Sequence, residues 1–151
     1  MKKYLLVGLA IIIILGSLIL PKVLGGKDTK VKYKAVEVDD IPDKIMEMLP
    51  KYVMEERALT LKYRDEIYVI VTRGEKKSAG FFVDIDKILL EGDKKGEFDL
   101  IVHAEFIDPK SDEALEQHYD YPYIIVKTNL KDMPQEVHLD ITYEDWKNSN
   151  R

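Results

Sequence analysis

Residues 4–20, YLLVGLAIIIILGSLIL, carry no charge, and Lys2 and Lys3 stand directly before them. Such a run cannot remain in water as an exposed helix. Its length gives roughly 25 Å of helix at about 1.5 Å per residue, slightly short of a hydrocarbon core about 30 Å thick. Continuing to Leu24 closes the gap, because Lys22 can reach the headgroups while its stem stays in the apolar layer. The segment is expected either to cross a membrane or to be a signal peptide that is removed. Removal needs small residues at an A-x-A-like cleavage site. None is well placed: Gly16 and Ser17 lie inside the run, and Pro21-Lys22-Val23-Leu24 follows it. The chain has no cysteine, so a lipidated-cysteine anchor is excluded. The reading is an uncleaved anchor over residues 1–24. Two rules compete over its orientation. Lys22, Lys27, Lys30, Lys32 and Lys34 make the following flank the more basic one, whereas Met-Lys-Lys before an apolar run has the layout of a secretion signal. The layout is preferred, which puts residues 27–151 outside the cytoplasm at the cell membrane.

Charge divides the chain in the same place. Residues 1–34 hold seven lysines and one aspartate, net +6, while residues 35–151 hold 16 Lys+Arg against 27 Asp+Glu, net −11. The basic stretch suits an anionic lipid surface, and the acidic remainder is repelled by one. Nucleic-acid binding rests on basic contacts to phosphate, so no nucleic-acid partner is expected. The absence of cysteine suits either side of a membrane. About 117 residues follow the basic stretch, enough for one domain with one core. The expected organisation is an anchor at 1–24, a basic linker at 25–34, a β-rich domain at 35–146 and a tail at 147–151.

A helical segment is predicted over Asp43 to Glu56. Ile45, Met48, Leu49, Tyr52 and Val53 recur at helical spacing and form one stripe facing a core. Asp39 and Asp40 offer capping oxygens, and Pro50 implies a kink or two short helices. From Ala58 the period falls to two. Residues 58–63 and 67–72 read as a hairpin turning at Arg64-Asp65-Glu66. Further strands are expected at 81–90, 98–106, 123–128 and 137–143, with a break at Gly92-Asp93-Lys94-Lys95-Gly96. Leu100, Val102, Ala104 and Phe106 share one face of their strand; Val137, Leu139, Ile141 and Tyr143 share one face of theirs. Strands joined by polar turns without intervening helices predict a mainly β domain, an antiparallel sandwich or barrel, with one helical segment at its start.

The residues offer little for catalysis. His103, His118 and His138 have neither the i, i+4 spacing of a zinc helix nor a cysteine to join them. Asp108, Asp112, Glu113, Glu116 and Asp120 make an acidic loop, but it lacks the glycine turn of a calcium loop. No serine elbow, phosphate-cradling glycine loop or Cys-His pair is present, and Ser78 has no general base beside it in sequence. The expectation is a protein without enzymatic activity, cofactor or metal.

One segment stands apart: Gly74-Glu75-Lys76-Lys77-Ser78-Ala79-Gly80-Phe81-Phe82-Val83. Two glycines bracket a charged turn, and two adjacent aromatics open the next strand. It reads either as an ordinary hairpin loop or as a loop presented to a partner through Gly74, Lys76, Lys77, Ser78, Gly80 and Phe82. Strand alternation sends the two rings to opposite faces. Phe81 shares parity with Val83 and Ile85 and is expected in the core, leaving Phe82 on the surface.

Residues 68–128 resemble the C-terminal domain of the PrcB family, named for a protease complex subunit. Gly74-Glu75, Ser78-Ala79-Gly80-Phe81, the strand Ile101 to Phe106, Asp108-Pro109 and Pro122-Tyr123-Ile124-Ile125-Val126 follow the order of that family's elements. Serine replaces threonine, alanine the first glycine and phenylalanine the tyrosine of its T-G-G-Y turn. The resemblance implies an extracytoplasmic accessory protein that associates with a protease and supports it. The same turn is similar, over a few residues, to the wedge loop of chagasin-type cysteine protease inhibitors, which are immunoglobulin-like sandwiches. The expected function is therefore a membrane-anchored protein that binds a protease or other envelope protein, with inhibition through residues 74–82 as the alternative.

Overall fold

The structure is a computed structural model that describes residues 29–93, 97–110 and 115–145. The apolar run at 4–24 and the tail at 147–151 lie outside them. Among the described residues, no helix is long and apolar enough to cross a membrane.

Among the described residues, eight strands form two four-stranded sheets. They are β1 (Thr29–Lys30), β2 (Tyr33–Ala35), β3 (Glu56–Tyr63), β4 (Glu66–Arg73), β5 (Phe82–Asp93), β6 (Glu97–Asp108), β7 (Tyr123–Thr128) and β8 (Val137–Asp145). One sheet has the order β1-β5-β6-β8 and the other β2-β7-β4-β3. The sheets pack face to face around Val69, Val71, Ile88, Leu100, Val102 and Phe106. A short helix, α1 (Asp43–Met48), and a 3-10 turn at Leu49–Lys51 lie on the outer face of the second sheet. The mainly β sandwich with one short helix is as the periodicity predicts.

The predicted hairpin is β3–β4. Arg64 and Asp65 both take positive φ, 48° and 62°, which matches the right-handed twist of the paired strands in a two-residue turn. Pro50 falls where α1 gives way to the 3-10 turn, because its missing N–H cannot continue the ladder. Of the expected stripe, Ile45 and Leu49 are buried and Met48, Tyr52 and Val53 half-buried. Two expectations need correction. Asp39 and Asp40 do not cap α1: they belong to a separate 3-10 turn, Val38–Asp40, and the helix starts from Pro42, whose carbonyl accepts from the N–H groups of Ile45 and Met46. The sheets are also not wholly antiparallel, since β8 runs parallel to β6. The chain leaves β6 for β7 in the opposite sheet and then returns. The two reversals bring β8 back in the direction of β6.

Residues 29–34, within the stretch read as a linker, join the fold. β1 pairs with Leu89 and Leu90, Val31 is buried in the inter-sheet core, and the Tyr33 hydroxyl donates to the carbonyl of Ile85 at 2.6 Å.

Candidate interaction surface

The 74–82 loop connects β4 of one sheet to β5 of the other, and a buried arginine governs its base. Arg73 shares parity with Ile67, Val69 and Val71, so its side chain points between the sheets; it is only 2% exposed. There its guanidinium donates to the carbonyls of Phe82 (3.1 Å) and Ile107 (2.6 Å) and pairs with Asp108. The rings of Phe81 and Phe106 lie 5.0 and 5.1 Å from its central carbon, within cation–π range. One side chain on β4 thus ties together the ends of β5 and β6. Phe81 accordingly faces inward, but as a half-buried cover over Arg73 rather than as a member of the apolar core. Phe82 is 51% exposed, on the outer face as parity requires.

The rest of the loop is fastened along its length. Lys76 and Asp120 exchange N–H···O bonds of 2.9 Å in both directions. Ala79 donates its N–H to Glu116 at 3.0 Å, and the Tyr121 hydroxyl donates to Glu75 at 2.9 Å. The Lys76 ammonium lies 3.5 Å from Glu56 and 5.7 Å from the Phe81 ring centre. Gly74 and Gly80 take φ of +77° and +93°, while Ala79 is not among the positive-φ residues. The alanine that departs from the family turn therefore carries no backbone strain. At Gly80 a Cβ would sit 2.9 Å from the Cβ of Pro109, so glycine permits the loop to lie against the β6–β7 connection.

Of the residues singled out in sequence, Gly74 is buried, Lys76, Ser78 and Gly80 are half-buried, and Lys77 and Phe82 are exposed. The larger apolar exposure lies beside the loop. Val38 is 68% exposed and, with Phe81, Phe82 and Val83, borders a groove floored by Pro122, Tyr123 and Ile124. A second groove shares Tyr121 and Tyr123 and is bordered by Met46, Val53 and the 55%-exposed Met54. Val38, Met46, Val53 and Met54, which the sequence did not join to the 74–83 segment, thus gather with it around Tyr121-Pro122-Tyr123. Arg73 could have been found from its parity with three apolar neighbours. The contribution of Val38, Met46 and Met54 could not, because it depends on where the helical segment crosses the sheet. Of the histidines, exposed His118 sits between Glu116 and Asp120 beside the loop, while the other two lie elsewhere: His103 Nδ1 is 2.7 Å from Asp140, and His138 Nε2 is 3.6 Å from Glu136.

The molecule is thus a two-sheet β domain whose sheet-connecting loop lies flat beside an exposed apolar surface. Residues 67–129 match the family model described as PrcB C-terminal. The match covers less than half of the chain and runs from β4 to β7, so it takes in both sheets, the fastened loop and the Tyr121–Tyr123 floor. The resemblance read from residues 68–128 holds for this stretch. No curated protein and no solved structure matched the chain.

Proposed function

We propose that this protein is a membrane-anchored, extracytoplasmic accessory subunit that binds a protease or another envelope protein through the surface around Tyr121-Pro122-Tyr123. The observation that carries the reading is the convergence of exposed Val38, Met46, Met54 and Phe82 on that one surface, within and beside the PrcB-like segment. Apolar groups gathered this way on a small domain mark an interaction site. The apolar run at 4–24 supports the anchor and the basic residues after it support a position near anionic headgroups. An inhibitory wedge requires a projecting loop. The 74–82 loop is instead bonded to Glu116 and Asp120 along its length, which favours the accessory role.

Crosslinking in native membranes, followed by capture of the full-length chain, tests the reading. A reproducible partner is expected whose activity or stability falls when this protein is removed. A protein that is always recovered alone refutes it, and inhibition of added proteases would favour the wedge. For topology, protease added to intact protoplasts should degrade residues 27–151 while sparing a cytoplasmic control; protection of the domain would reverse the orientation.

A further inference from the structure

The groove beside Val38 has one wall made of unextended sheet edge. β2 pairs with β7 from Tyr33↔Thr128 to Ala35↔Val126, and the Val36 N–H reaches the Ile125 carbonyl at 2.9 Å. There the chain turns away into the Val38–Asp40 turn. Alternate residues of a strand direct their backbone groups to the same side. Tyr123, two residues before Ile125, therefore directs its N–H and C=O toward the line that β2 has left. Among the described residues, no strand pairs with β7 on that side beyond Val36. On β5, two residues beyond the groove-lining Val83, the Ile85 N–H goes to the Asp84 carboxylate at 2.7 Å and its carbonyl accepts from Tyr33.

The charged residue that lines the groove, Asp120, is acidic, and the cations beside its Phe81 wall, Arg73 and Lys76, are paired with Asp108 and Glu56. Exposed Glu37, Asp39 and Asp40 flank Val38. An anionic lipid surface is repelled by such a rim, whereas a basic peptide is attracted. We propose that the groove takes an extended, lysine- or arginine-bearing apolar segment of the partner protein, which continues the line of β2 and pairs with the Tyr123 edge of β7. Strand addition of this kind takes its affinity from main-chain hydrogen bonds and its selectivity from alternate side chains. The inference rests on the reading that the domain binds a protein at this surface.

The test uses the full-length chain in detergent micelles and three fluorescein-labelled octapeptides: one alternating lysine with valine, one alternating glutamate with valine, and the lysine peptide N-methylated at alternate residues. The lysine peptide is expected to bind, with the other two at least about tenfold weaker. Val38→Lys, at an exposed position and with an unchanged thermal melt, should weaken the lysine peptide by a similar factor. Equal binding of the N-methylated peptide overturns strand addition. Equal binding of the glutamate peptide overturns the charge argument, and no binding of the lysine peptide overturns the whole inference. The accessory reading is judged separately by membrane crosslinking. A partner still captured at wild-type yield by Val38→Lys sinks the groove inference and leaves the accessory role standing, whereas the absence of any partner on the wild-type chain sinks that role itself.

Discussion

The two sheets share one inner core but differ on their outer faces. In β4 every residue from Ile67 to Arg73 is buried: Val69 and Val71 enter the inter-sheet core, while Tyr68 and Ile70 pack beneath α1. In β6 burial alternates, with Leu100, Val102, Ala104 and Phe106 inside and Ile101, His103 and Glu105 turned outward. One outer face is roofed by helix and the other meets water. The roof is small, however, since α1 has six residues. Apolar surface that the roof leaves uncovered, on Met46, Met54 and Tyr123, lies at its margin and forms the candidate interaction surface. Incomplete coverage of one sheet thus supplies most of the proposed interaction surface, to which the other sheet adds Phe82 and Val83 from the start of β5.

The sharpest way to break this comparison is to place a charge on each outer face. Ile70→Lys puts an ammonium beneath α1, where Ile70 is 3% exposed and packs within an apolar cluster with Ile41, Ile45 and Leu49. It should cost about 4 kcal/mol or more, the range reserved for unpaired buried charge. Ile101→Lys, at the half-buried outward position of β6, should cost far less. Urea unfolding midpoints decide the matter, and equal losses would show that the second face is covered too. Truncation of the roof should rank next. Ile45 is fully buried, so Ile45→Ala should destabilise by roughly 2–4 kcal/mol and, by loosening the groove margin, weaken partner capture as well. Retained capture with lost stability would uncouple the surface from the roof.

A smaller effect is expected where the sheets are tied together. Arg73→Met keeps the bulk between Phe81 and Phe106 but removes the donors to the Phe82 and Ile107 carbonyls. Leaving those acceptors without their donor should cost about 1–3 kcal/mol. Hydrogen exchange should quicken at residues 74–82 and not at Arg64-Asp65, the far turn of the same strand. Uniform quickening would mean that Arg73 supports the core and not the loop.

The outer-face contrast was partly legible in the sequence. Strict alternation in β6 and β8 assigns their faces correctly, because a half-solvated strand must alternate. The unbroken apolar run of β4 signals burial on both sides without naming what covers it. The stripe through Ile45 and Leu49 supplies the cover, from a segment separated from β4 only by β3. Direction was harder to read. Nothing in residues 129–136 says that the chain returns to the first sheet, so the parallel pairing of β8 is decided by packing between distant elements. The same limit hid the groove, whose residues come from segments as far apart as Val38 and Tyr123. The hydroxyl of Tyr33 and the guanidinium of Arg73 close polar gaps made by tertiary contact, and only parity hinted at the second.

The mildest test concerns the exposed face alone. Burial raises the pKa of Glu105 above the ordinary carboxylate value, and the nearby charges of Glu144, Asp86 and Asp84 raise it further. The native state then holds a proton at this site more readily than the unfolded chain does. Stability from this group therefore falls as pH rises from the unfolded value through the raised native one, and the deficit persists at neutral pH. Glu105→Gln removes the charge that is disfavoured and should stabilise the domain by up to about 0.5 kcal/mol near neutrality, the scale of surface substitutions. The gain should vanish below about pH 4, where carboxyls are protonated in either state. Urea midpoints for both proteins at the two pH values measure it. A gain that is the same at both would assign the effect to packing or strand propensity. A loss at neutral pH would mean that Glu105 is held by a favourable contact, and the contrast between a roofed apolar face and a self-repelling acidic one would then weaken on its acidic side.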